Sequence, residues 1–260
     1  MLLFLILPIL VIVPLSFNAE PFFSFTEGML TLDPEAYSLR WYREIFNDPK
    51  WILAIKNSFF IGILSTILAT ILGTCAAIGL ARDEMPFRRF ITALLLSPMI
   101  VPLIITAAGM FFFYSNLGLA GGYLGVILAH AALGTPFVII TVTATLTGFD
   151  YSLARAALNL GATPIRVFFD VIMPLIRPGV ISGALFAFIT SFDEVVVILF
   201  MAGPQQRTIP RQMFSGLREQ INPSILAIAT LLILVSIALL VTLELLRRRA
   251  ERMRGIEIPH

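Results

Sequence analysis

The chain has 260 residues and a net charge of +2; 13% of its residues are charged, 58% are hydrophobic, and its mean hydropathy is +0.93. A soluble domain carries about a quarter charged residues, so too little polar surface remains here to cover a core in water, and so small a net charge makes no case for nucleic acid. Cys75 stands alone, which excludes an intramolecular disulfide, and its apolar surroundings read as those of a small buried hydrophobe. The lysines, Lys50 and Lys56, follow no glycine-rich run. A GxxxxGK[ST] phosphate loop is therefore absent, and any ATP that drives this protein is hydrolysed on another chain.

A membrane-crossing helix needs about 20 mostly apolar residues. In chain order, residues 1–17, 51–81, 90–114, 123–147, 179–202 and 224–246 meet or approach that condition. The first run has no basic leader, contains Pro8 and Pro14 and shows no small-x-small cleavage site, so it reads as a retained helix rather than a signal peptide. The second is interrupted early by Lys56 and Asn57. The connections after the second, fourth and sixth runs hold eleven arginines, whereas the opposite connections hold six arginines and lysines. Basic residues favour the cytoplasmic side. The expectation is an all-α transmembrane, six-helix bundle forming one domain over 1–260, multi-pass in the inner membrane, with both termini cytoplasmic. The basic run RRRAERMR then acts as a positive-inside anchor, and residues 18–50 form a short ordered loop outside.

The longest cytoplasmic connection, 148–178, has the composition of a built element. Ser152 can cap a short helix running to Leu160, whose Ala154, Ala156 and Ala157 give strong helix propensity and a slim profile. Gly161 stands where that helix would stop in the left-handed conformation. Thr163–Pro164 restarts the chain, with proline at a favoured first-turn position, and Pro174 and Pro178 bend it into the next span. Such a loop is either an ordinary connection carrying a surface helix or a rigid knob for a socket on a soluble partner.

The same segment resembles the EAA motif of the permeases of ATP-binding-cassette importers, type I: E-A-A, three residues, G, nine residues, I-x-L-P. The corresponding residues are Arg155-Ala156-Ala157, Gly161, and Val171-Ile172-Met173-Pro174. Val171 and Met173 keep size and polarity, whereas Arg155 reverses the charge of the usual Glu. The stretches SFDEVVVILFMAG, TIPRQMF and NPSILAIATLLI are similar to the second permease of polyamine importers (spermidine/putrescine), and also to relatives handling opines, phosphonates and other small organic ions. The resemblance implies a permease that is not itself an enzyme, coupled to ATPases through Arg155, Ala156, Ala157, Gly161 and Pro174. It also implies a homologous second permease, two cytoplasmic ATPases that hold ATP and Mg, and a periplasmic binding protein, with no cofactor in this chain.

Asp193 and Glu194 lie 14 residues into the fifth apolar run, roughly 21 Å along a helix and therefore in the outer half of the bilayer. Charge at that depth normally faces a cavity, a partner or a pathway. Thr190 neighbours both on a helix, yet the two acids are about 100° apart and cannot face one spot without a distortion. They read either as a cation-attracting element of the substrate path, or as a polar contact with a partner subunit or the outer edge of a span that ends before residue 202. His130 reads more readily as a structural hydrogen-bonding group than as a pathway residue. Trp41, Tyr42, Trp51, Tyr114 and Asn116 fall where aromatic-belt anchors would. A membrane enzyme would need a nucleophile with a base, or clustered ligands, and HExxH and GxSxG are both absent. A self-sufficient carrier would show inverted repeats or matched broken helices, and the sequence shows no such pairing.

Overall fold

A computed structural model gives the fold, and it describes residues 2–82, 84–219 and 223–253. Arg254 and the side chains of Arg218 and of the basic run from Arg247 lie outside the described residues. Among the described residues the regular secondary structure is helical, apart from an isolated bridge between Asn18 and Tyr37. The helices are α1 (Leu2–Leu15), α2 (Glu27–Leu30), α3 (Arg40–Asn47), α4 (Pro49–Leu80), α5 (Arg88–Ile100), α6 (Leu103–Asn116) and α7 (Tyr123–Leu146). They continue with α8 (Tyr151–Asn159), α9 (Pro164–Val167), a π-helical turn (Phe168–Ile172), α10 (Met173–Asp193), α11 (Val196–Met201), α12 (Ile209–Glu219) and α13 (Ser224–Met253).

Among the described residues, four stretches are long and apolar enough to cross a membrane: Pro49–Leu80, Tyr123–Leu146, the continuous run Pro164–Asp193, and Ser224–Thr242. A shorter apolar helix lies within α1 over Ile6–Leu15. The expected straight span 90–114 is instead a broken pair, α5 and α6, bent by 106°. The cause is local. Val101 precedes Pro102 and takes an extended backbone, φ −71° and ψ 135°, because the proline ring disfavours the helical conformation at the residue before it. The fifth span also begins earlier than residue 179, since Pro174 and Pro178 do not bend the chain out of the helix. The π turn just ahead of Pro174 widens the backbone, with the Met173 amide reaching back to the Phe168 carbonyl. An extra residue in the turn relieves the clash and lost donor that a proline imposes on an α-helix.

The chain forms two compact units. The first joins residues 1–59 to 204–241. The segment between α1 and α4 is ordered around Asn18, which is fully buried. The Asn18 side chain donates to the carbonyls of Phe22 (3.2 Å) and Ser24 (3.1 Å), and the Asn18 backbone carbonyl accepts the Trp41 indole N–H at 2.7 Å. Trp41 and Trp51 are both buried in this unit, so neither is a lipid-facing anchor. Asn57 does not interrupt α4. Its amide donates to the carbonyls of Gln205 (2.7 Å) and Arg207 (2.9 Å), and the neighbouring Ser58 hydroxyl accepts the Ile209 amide at 2.9 Å.

The second unit joins residues 60–203 to the described residues from 242 onward, and the α7–α10 pair is its centre. Lipid supplies no hydrophobic force between helices, so their association rests on close packing, which small residues allow. Gly179 and Gly183 provide it. A Cβ on Gly183 would lie 2.5 Å from Thr141 Oγ1 and 2.8 Å from Val138 Cα, and one on Gly179 would lie 2.7 Å from the Thr141 carbonyl oxygen. Cys75, by contrast, is exposed rather than buried. Gly73, two residues before it, turns towards Val138, which leaves Cys75 on another side of α4. The packing makes a signed prediction. Gly183→Ala should destabilise the permease by about 1–3 kcal/mol through overpacking. Gly109→Ala, with nothing within 4 Å, should be neutral or gain up to about 1 kcal/mol of helix propensity. Thermal unfolding in detergent distinguishes them, and equal midpoints would contradict the close α7–α10 contact.

Candidate functional site

Two features of the second unit carry the site. The first is the knob between α7 and α10. Its cap is Asp150 rather than Ser152: the Asp150 carboxylate accepts the Ser152 amide at 2.8 Å and the Ser152 hydroxyl at 2.7 Å. Those two bonds hold the Asp150 carboxyl below its ordinary pKa, and Arg155 adds a weaker electrostatic pull. The carboxylate at the positive end of α8 also suits the helix dipole.

At the other end of α8 the chain closes on itself. Gly161 has φ +87°, the Gly161 amide donates to the Leu158 carbonyl at 2.9 Å, and the Ala162 amide donates to the Ala157 carbonyl at 3.1 Å. This pair of bonds is the Schellman closure, which a left-handed residue makes possible. Thr163 then caps α9 by accepting the Arg166 amide, with Pro164 in the first turn. The result is a short helix fixed at both ends. Ala154 faces inward, while Leu153, Arg155, Ala156, Leu158, Leu160 and Ile165 are exposed. Pro174 lies beyond the π turn at the head of α10, so it shapes the root of the knob rather than its surface.

The second feature is a break between α10 and α11, within the apolar run 179–202. Helix α10 ends at Asp193, Glu194 is extended (φ −72°, ψ 121°), and α11 starts at Val196. The break supplies the distortion that two adjacent acids require, and it separates their roles. Glu194 is buried, and its carboxylate accepts the Val197 amide at 2.8 Å, covering one of the open donors at the start of α11. The far end of α11 is held by the Gly121 amide, which donates to the Met201 carbonyl at 2.8 Å. Val197, Ile198 and Met201 pack with Ala107, Val126 and Ala129. Asp193 is exposed, and Thr190, one turn earlier, is half-buried. His130 joins α7 to this end of α10, its Nδ1 lying 2.8 Å from the Ser191 hydroxyl. The Ser191 partner and the capping use of Glu194 have no signature in the sequence. Asp150 did: it stands immediately before the helix, where capping residues are favoured.

Residues 70–252 match the family described as "Binding-protein-dependent transport system inner membrane component". The chain belongs to this family. It is 32% identical over 246 residues to the spermidine/putrescine transport system permease protein PotC of Haemophilus influenzae, covering 95% of this chain and 93% of that one. It is 34% identical over 241 residues to the putrescine transport system permease protein PotI of Escherichia coli K12, covering 88% of this chain and 82% of that one. A crystal structure of a bacterial ABC transporter involved in the import of alginate contains a chain of similar fold. That match has a TM-score of 0.71 at 16% identity and covers 93% of this chain and 90% of that one. The protein is thus a multi-pass inner-membrane permease of the all-α importer fold, and its relatives are transport subunits rather than enzymes.

Proposed function

We propose that this permease carries a polyamine or a closely similar amine across the inner membrane, in an assembly whose ATP and Mg are held by two separate cytoplasmic ATPases. A homologous second permease and a periplasmic binding protein complete the assembly. In this reading the chain is one permease domain of six spans with both termini in the cytoplasm. The observation that carries the coupling role is the doubly closed α8 knob. Its exposed Leu158 and Leu160 offer a rigid apolar surface outside the apolar spans, as a socket on a soluble ATPase requires. The PotC and PotI resemblance and the exposed Asp193 support an amine substrate, because a carboxylate at membrane depth is costly unless it serves a partner or a pathway.

Two experiments test these parts separately. Reconstituted with its cognate ATPase and binding protein, the permease should take up labelled spermidine or putrescine. Excess unlabelled polyamine should compete, and neutral sugars or dicarboxylates should not. Competition by an anion alone would refute the amine reading and leave the importer reading standing. Orientation is tested by single cysteines placed in a Cys75→Ala background. Glu27→Cys should react with an impermeant maleimide from outside intact cells, and Arg89→Cys only after permeabilisation. The reverse pattern would invert the topology and remove α8 from the cytoplasm.

A further inference from the structure

Helices α7 and α10 run in opposite directions and meet at every fourth residue. A Cβ on Gly183 would lie 2.8 Å from Val138 Cα, and a Cβ on Gly134 would lie 2.9 Å from Ala187 Cβ. One turn further on, His130 Nδ1 lies 2.8 Å from the Ser191 hydroxyl. The contacts thus pair 183 with 138, 187 with 134, and 191 with 130. The first two are made by small residues, which let the backbones approach. The third is polar, and it falls in the last turn of α10, two residues before Asp193. We propose that His130 is a positioning residue: through Ser191 it fixes the end of α10, and so the place of the Asp193 carboxylate.

The end of α10 needs a contact of this kind. Helix α8 is closed by the left-handed Gly161, whereas Glu194, which follows α10, is extended and supplies no such closure. The bonds from Glu194 to the Val197 amide and from the Gly121 amide to the Met201 carbonyl fix α11 rather than the last turn of α10. Asp193 is exposed, so its carboxylate takes its place from the backbone that carries it. His130 and Ser191 are both buried. The His130 Nε2 is enclosed too and has no hydrogen-bond partner, which is costly for a polar atom. An apolar side chain of similar volume would fill the space without that cost. What the imidazole adds is a directed bond to Ser191, and a buried polar contact selects one register between helices where apolar packing tolerates several. The consequence for transport rests on the proposed reading of Asp193 as the pathway charge. A carboxylate held at one point attracts an amine better than one that must first be ordered.

Two measurements on the assembled transport complex test the assignment. The first uses a nitroxide attached at Asp193→Cys in a Cys75→Ala background, with a control label at Leu158→Cys on α8. Ser191→Ala removes one buried oxygen and little volume. It should give a sharper, more mobile spectrum at position 193 and leave the control unchanged. His130→Leu should act in the same way, and His130→Asn, which places an amide near the position of Nδ1, should restore the broad spectrum. The second measurement is uptake of labelled putrescine into proteoliposomes. Ser191→Ala should raise the half-saturating concentration about three- to tenfold, the range expected for one interhelical hydrogen bond in a membrane, with the maximal rate per assembled complex little changed. In an Asp193→Asn background the same substitution should add nothing. An unchanged spectrum at position 193, or equal sharpening at both labels, would overturn the positioning role. So would a further rise in half-saturation when Ser191→Ala is added to Asp193→Asn. Sharpening confined to position 193 with unchanged half-saturation would uphold the positioning role and refute the pathway reading of Asp193 instead.

Discussion

Gly161→Val and Ala157→Asp are each expected to abolish transport-coupled ATP hydrolysis, lowering it by more than tenfold while the permease remains in the membrane. At Gly161 the reason is backbone geometry. A β-branched residue resists φ near +87°, so the closing bonds to the Leu158 and Ala157 carbonyls are lost and the end of α8 frays. At Ala157 the reason is profile and charge. In the proposed coupling role the helix docks through a slim surface, and an aspartate there would carry an unpaired charge into an apolar contact, which costs several kilocalories unless it is compensated. Neither residue belongs to the α7–α10 packing, so insertion and detergent stability should be retained. Normal coupled hydrolysis in both variants would remove α8 from the docking surface. Loss of hydrolysis only in proportion to loss of protein would reduce its role to folding.

The second large effect is expected at the break between α10 and α11, where charge and capping can be separated. Asp193→Asn keeps shape and removes the exposed charge, so polyamine uptake should fall by tenfold or more with assembly intact. Glu194→Gln keeps an oxygen able to accept the Val197 amide, so uptake should stay near wild type. Glu194→Leu leaves that buried amide unpaired, which costs about 1–3 kcal/mol, so less assembled complex should be recovered. The opposite ranking, with Glu194→Gln inactive and Asp193→Asn normal, would move the pathway charge to Glu194. Normal uptake in both amide variants would end the electrostatic role of the pair.

Much of this was legible in the sequence because local rules governed it. Gly161 and Thr163–Pro164 behave as their backbone chemistry demands, and apolar length located the long spans. The failures occurred where tertiary context outweighed local pattern. Hydropathy saw one apolar run over 90–114, because it is blind to the backbone restriction that Pro102 places on Val101. It read Pro174 and Pro178 as bends, although a π turn keeps that helix continuous. Asn57 looked like an interruption until its partners, about 150 residues away in sequence, were in view. Cys75 and Trp41 exchanged their expected environments, since burial inside a bundle depends on which neighbour each helix face meets. The shape of the α8 knob was therefore readable from spacing, whereas the unequal environments of Asp193 and Glu194 required the break between them.

The most direct test of the central claim is ATP-dependent uptake of labelled spermidine by proteoliposomes containing this permease with its second permease, ATPases and binding protein. The account predicts uptake that requires ATP and every subunit and that Gly161→Val eliminates. Uptake by this chain alone, driven by an ion gradient without nucleotide, would contradict it.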